Sequence, residues 1–258
     1  MTIAFAGKGG VGKTTLCASL ALILDEFGFN VLCVDADPDA NLSTALGAGV
    51  VKALAKDKAL LQSVVKKENA SALEGFYELT VKVDNVIEKF AKKWGNSGDI
   101  ITLGWSKNGG QGCYCTENNA LNAIIRSIPK NQYDFILIDG EAGLEHLSRG
   151  LTAKADLLIV VLQSGQRSVQ TAQDAHKLAL DIGIKKINLV LNGYVNEDEI
   201  NYIKEQSQLP ISYAFSFNND IRICDLNAQK IAFNEEYKNQ IKEFIEPILD
   251  DFKEGLRC

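Results

Sequence analysis

Seven short aliphatic or β-branched runs punctuate the chain: TIAFA (2–6), NVLCVD (30–35), DIITLG (99–104), YDFILID (133–139), ADLLIVVLQ (155–163), KINLVLN (186–192) and PISYAF (210–215). Several are apolar at nearly every position, the pattern of strands covered on both faces, and the stretches between them are long enough for crossover helices. The pattern predicts an α/β fold with a mostly parallel twisted sheet and helices on both faces. Residues 48–98 break it, being rich in Lys, Glu and Ala, and are expected to be a helical insertion outside the core sheet, with charged runs such as KKEN and EKFAKKWG on solvated faces. Near the end, Ile241, Phe244, Ile245, Ile248, Leu249 and Phe252 fall at helical spacing. The polar positions among them are mainly acidic, so this helix is expected to dock on the protein's own core rather than on an anionic membrane.

Composition adds little to the fold but narrows the partners. The 258 residues are 46% hydrophobic and 23% charged, ordinary for a globular chain, and with no linker or repeat they are read as one domain, 1–258. A net charge of −6 and a pI near 5.1 give no overall positive field for a phosphate backbone, so neither nucleic acid nor membrane is expected as a partner. No leader pattern precedes the first glycine loop and no apolar run approaches membrane-spanning length, which reads as a cytoplasmic protein with reduced thiols. Cys17, Cys33 and Cys224 are expected to be structural, and Cys258 is a chain-end thiol without a readable role.

The first strand runs into GKGGVGKTT (7–15), which matches G-x-x-x-x-G-K-[ST] between a strand and a helix. Gly7, Gly9, Gly10 and Gly12, with Val11, let the backbone N–H groups curl around a polyphosphate. Lys13 is expected on the β- and γ-phosphates, Thr14 on Mg²⁺ and Thr15 on the α-phosphate. FILID ends in Asp139, an acid after four apolar residues, as a Mg²⁺-associated aspartate requires. After it, GEAGLEH (140–146) resembles a second switch, in which Gly140 and Gly143 would give the backbone freedom to respond to the γ-phosphate, and His146 is read as a packed residue before a ligand. Asp35 is read as a structural or Mg²⁺-shell carboxylate and Asp39 as a turn residue. Asn192, at the end of NLVLN, carries the donor and acceptor that match the N6/N7 edge of adenine, although a turn role beside Gly193 is also open.

The segment QGCYCTEN (111–118) places Cys113 and Cys115 one residue apart in a polar, glycine-rich setting unlike a core. Tetrahedral thiolate sites hold sulfur about 2.3 Å from Zn²⁺, and one Cys-x-Cys supplies half of such a site. A two-fold dimer would supply the other half, with both pairs converging on one ion. Soft thiolates accept Zn²⁺ and Ni²⁺ alike, so these residues leave the metal open.

With its second lysine, KGGVGKT resembles the deviant P-loop of the MinD/ParA and nitrogenase iron-protein class of ATPases. The resemblance implies that Lys8 reaches the nucleotide of the partner subunit, that Asp37, before Pro38, orients or deprotonates the attacking water, and that Asn192 reads the base. With CYCTEN and LIDGEAGLEHLSRGL, the chain over nearly its whole length resembles the CooC/AcsF family. That implies an ATP-hydrolysing nickel metallochaperone binding ATP, Mg²⁺ and Ni²⁺ or Zn²⁺, a homodimer, whose client is carbon monoxide dehydrogenase or acetyl-CoA synthase. Two alternatives stay open at this point: a MinD/ParA-like positioning ATPase, and an electron carrier with a subunit-bridging iron–sulfur cluster.

Overall fold

The computed structural model describes residues 1–67, 76–104, 115–141 and 155–255. All seven expected strands form. In chain order these are β1 (Thr2–Ala6), β2 (Val31–Asp35), β6 (Gly98–Thr102), β7 (Phe135–Asp139), β8 (Leu157–Leu162), β9 (Ile187–Tyr194) and β10 (Ile211–Ser216). They join in one eight-stranded sheet of order β10-β9-β8-β1-β7-β2-β6-β5, parallel apart from the edge strand β5 (Lys92–Trp94). Ile3, Ala4, Phe5 and Ala6 of the central strand are fully buried, because helices cover both faces.

One face carries α1 (Lys13–Glu26) and α9 (Glu235–Gly255) over Phe5, Phe135 and Phe215. Ile241, Phe244, Ile245 and Ile248 of α9 are at most 3% exposed, so its stripe docks on the core, as its acidic polar face led us to expect. The other face carries α4 (Val83–Phe90), α5 (Cys115–Ser127), α6 (Gln166–Asp181) and α7 (Glu197–Ser207). Smaller helices, α2 (Leu42–Ala45), α3 (Lys58–Gln62) and α8 (Asn219–Leu226), complete the described chain.

Residues 48–98 correct the helical expectation in part. They hold α3 and α4, but also a hairpin of β3 (Val64–Lys67) and β4 (Phe76–Leu79) that packs against α5. They also supply β5, which extends the main sheet antiparallel to β6 through Lys92↔Ile100 and Trp94↔Gly98. The strands are only three or four residues long, and β3 and β5 are half or more lysine, so no alternation is long enough to mark them. Trp94, 4% exposed, anchors the edge, and its indole N–H donates to the Asp99 carbonyl at 2.9 Å. A Cβ at Gly98 would collide with the Trp94 ring, which accounts for the glycine. Exposed Lys92 and Lys93 protect the edge from pairing with another chain. Among the described residues, no helix is long and apolar enough to cross a membrane.

Candidate nucleotide site

The parallel order brings the C-terminal ends of β1, β7, β2, β8 and β9 to one rim of the sheet, where this class of fold places ligands. The glycine loop leaves β1 and enters α1. Two of its glycines are required by distant neighbours. A Cβ on Gly7 (φ +142°) would strike the carbonyl oxygen of Val161 on β8, and one on Gly12 (φ +92°) would strike the side-chain amide of Asn192 on β9. Val11, 3% exposed, pins the loop into the core, while Lys8, Gly9 and Gly10 form its exposed crest. Thr15, in the first turn of α1, is half-buried.

Lys13 is 6% exposed, and its ammonium donates to the Lys8 carbonyl at 3.3 Å. Burial lowers its pKa below the usual lysine value, opposed by the carboxylates of Asp139 and Asp37. The amine therefore sits where added negative charge is most welcome.

Thr14 donates its hydroxyl to Asp139 Oδ2 at 2.6 Å. Asp139 is 1% exposed, and its pKa is raised to about 7 by burial, with Asp37 adding to the rise and the Thr14 hydrogen bond and Lys13 opposing it. Its other oxygen, Oδ1, is buried without a hydrogen-bond partner. A buried carboxylate with an unpaired oxygen beside a hydroxyl fits a hard cation, which takes oxygen donors and would offset the charge burial disfavours. These two residues would hold Mg²⁺ directly or through its water.

β2 ends beside β7, with Asp35 in register with Asp139. Asp35 is fully buried, and its carboxylate accepts from the backbone N–H groups of Leu42 at 3.0 Å and Asp37 at 3.3 Å. Burial first, and then Asp139, push its pKa well above the usual carboxylate range. Both its oxygens accept from the backbone, a structural role of the kind expected for Asp35.

Asp37 is half-buried in the loop after β2, and its Oδ1 accepts from the Asp39 N–H at 3.0 Å. Ala40 closes this turn onto the Asp37 carbonyl at 3.0 Å and takes a left-handed conformation (φ +54°). The backbone of Asp39 thus has the turn role expected of it.

Asn192 lies at the end of β9, but its side-chain amide donates to the Val11 carbonyl at 2.9 Å. The donor that sequence reasoning assigned to a base is thus engaged by the glycine loop. This brace spans 181 residues, a link the sequence alone could not reveal.

Cys113 and residues 142–154, including Gly143 and His146, lie outside the described residues, as does the side chain of Cys115, the first residue of α5. Gly140 is described and buried at the end of β7. Among the described residues, no cluster of three His, Cys, Asp or Glu side chains could hold a metal ion. Cys17, Cys33 and Cys224 are buried free thiols, as expected, and burial pushes the pKa of the first two far up.

Residues 1–192 match the AAA domain family. The chain is 34% identical over 229 residues to the carbon monoxide dehydrogenase accessory protein CooC of Rhodospirillum rubrum, covering 87% of each chain. It is also 34% identical over 258 residues to an uncharacterized ATP-binding protein of Methanocaldococcus jannaschii, covering 97% of this chain and 99% of that one. Among solved structures, the septum site-determining protein MinD of Pyrococcus horikoshii, complexed with Mg-ADP, superposes with a TM-score of 0.68 at 21% identity over 98% of this chain and 99% of the other. At that identity the likeness concerns the fold.

Proposed function

Since the chain belongs to the AAA-domain ATPases and, within them, to the family of the CooC accessory protein, we propose that it is an ATP-hydrolysing nickel metallochaperone that dimerises through Cys113 and Cys115. That it is an ATPase follows from the family. The client, on this reading, is a nickel enzyme, carbon monoxide dehydrogenase or acetyl-CoA synthase.

The observation that carries the hydrolytic half is the hydrogen bond from Thr14 to buried Asp139, with its unpaired carboxylate oxygen, at the foot of the glycine loop. Backbone N–H groups of the loop bind the polyphosphate, and Lys13 neutralises charge on the β- and γ-oxygens. Mg²⁺, when bound, draws charge from the same oxygens. Asp37 orients the attacking water or accepts its proton. Lys8, exposed at the loop's crest, reaches the nucleotide of a second copy, so turnover requires the dimer. Asn192 contributes its remaining oxygen, Oδ1, to the amino group of adenine, while its N–H group holds the loop.

The metal half is supported by the Cys-x-Cys sequence and the CooC relative. Nickel or zinc is cargo, held by thiolates that must shed their protons to bind, so affinity falls below neutral pH. The test is metal titration followed by size-exclusion chromatography with metal analysis. One ion per two chains, with metal-induced dimerisation abolished in Cys113→Ser and in Cys115→Ser, supports the bridging site. One ion per chain, with Cys113→Ser still dimerising on metal, rejects it.

A further inference from the structure

We infer that Asp35 is a positioning residue for hydrolysis, its carboxylate tying together the two ends of the loop that carries Asp37. The inference rests on the role proposed above for Asp37. Asp35 Oδ1 accepts the N–H of Asp37 at the loop's start, and Oδ2 accepts the N–H of Leu42 at its end. The local cap is missing: Asn41, in the N-cap position of α2, makes no side-chain capping bond, so Asp35, seven residues before Leu42, supplies the acceptor the helix start needs. The backbone fixes where this closed loop sits. Ala36 donates to the Asp139 carbonyl at 3.0 Å and Leu103 to the Asp35 carbonyl at 2.8 Å, so the loop is tied to the strand end that bears the Mg²⁺-associated carboxylate.

Burying a carboxylate is costly, and here both oxygens serve one short loop. Asp37 lies near enough to Lys13 and Asp139 to act on both electrostatically, so moving it disturbs the group that handles the water and its setting together. Misplacement by about 1 Å is enough to cost around a hundredfold in rate. Asp35 touches no reacting atom on this account; it acts through Asp37.

The test is a double-mutant cycle on MgATP hydrolysis, using the full-length chain, with Asp35→Asn, Asp37→Asn and the double variant, and Asp25→Asn as a control for a buried aspartate away from the site. Asp35→Asn keeps the shape of the side chain and one acceptor. It is expected to lower kcat by about tenfold or more, with the KM for ATP changed less than about twofold. The double variant is expected within about twofold of Asp37→Asn alone, the signature of one residue acting through another. Multiplying losses in the double variant, or wild-type kcat in Asp35→Asn, would overturn the inference. So would a loss of kcat that disappears when the variant is assayed well below its thermal midpoint, the behaviour expected of Asp25→Asn. If Asp35→Asn does not fold, Asp35→Ala, which removes the buried charge together with both acceptors, takes its place, and a wild-type kcat there also overturns it. Should Asp37→Asn itself keep wild-type kcat, the role of Asp37 fails first and takes the inference with it, an outcome distinguished by that single variant.

Discussion

Two buried aspartates, Asp25 and Asp35, use the same chemical device at opposite ends of the sheet. Asp25, at the C-terminal end of α1 and 6% exposed, accepts the backbone N–H groups of Asn96 and Ser97 at 2.9–3.0 Å, along with their side chains, and so clamps the turn between β5 and β6. A Cβ on Gly95 would collide with that carboxylate, so the turn is shaped around it. Asp35 likewise accepts two backbone N–H groups, yet the loop it holds carries Asp37 and lies beside Lys13 and Asp139. A carboxylate clamp on backbone N–H groups holds a turn of the scaffold in one place and, on the reading proposed above, the loop of the water-handling residue in the other. What separates them is the content of the clamped loop and the end of the parallel strands on which it lies.

The comparison breaks most visibly at Lys13. Lys13→Ala removes the ammonium that, on the proposed reading, faces the polyphosphate, and losing one such electrostatic contact costs about 10²–10³ in kcat. Turnover is expected to fall to near background while the thermal midpoint is kept or rises, because a buried amine is removed with only a 3.3 Å contact to the Lys8 carbonyl. Steady-state phosphate release and a melting curve check both.

Asp25→Ala should behave in the opposite way. It leaves the Asn96 and Ser97 N–H groups without their acceptor, at about 0.5–1.5 kcal/mol for each hydrogen bond lost from this partly exposed turn. For a chain of this size each kcal/mol lowers the midpoint by about 2–4 °C. The kcat and the KM for ATP, measured well below the new midpoint, are expected to stay at wild-type values.

The smallest effect lies at the scaffold end, where Tyr133, 8% exposed, donates its hydroxyl to Asp99 Oδ2 at 3.0 Å. Burial, and then the Asp99 charge, push the phenol's pKa above its usual value. The folded state therefore holds this proton more tightly than the unfolded chain does. Its contribution is fully present below about pH 10, where the unfolded phenol ionises, and is lost as pH rises toward the folded value, at up to about 1.4 kcal/mol per pH unit. Denaturant unfolding between about pH 10 and 11 should show a shallower loss in Tyr133→Phe than in wild type.

The sequence made the scaffold's outline legible because strands β1, β2 and β6–β10 are rich in aliphatic and β-branched residues, and the glycine loop because its spacing is local. It concealed β5 and the β3–β4 hairpin, whose few residues expose lysines and gain their place from Trp94 and from packing on α5. It also concealed the clamps. Nothing in GNSG near residue 96 points back to Asp25, and nothing in DADPDAN says which aspartate faces the water and which faces the backbone. Gly12 was legible as part of a motif, but its actual constraint is the amide of Asn192, brought there by the order of the sheet. Motifs name the chemistry through local spacing, whereas the division of labour among similar residues is fixed by contacts across the fold.

The most direct measurement of the account as a whole is MgATP turnover per chain across about a hundredfold range of protein concentration, with and without Ni²⁺. The account predicts that specific activity rises with concentration as dimers form, and that Ni²⁺ shifts the rise to lower concentration in the wild type but not in a Cys113→Ser/Cys115→Ser variant. Specific activity that stays constant over the whole range, with or without the metal, would contradict it.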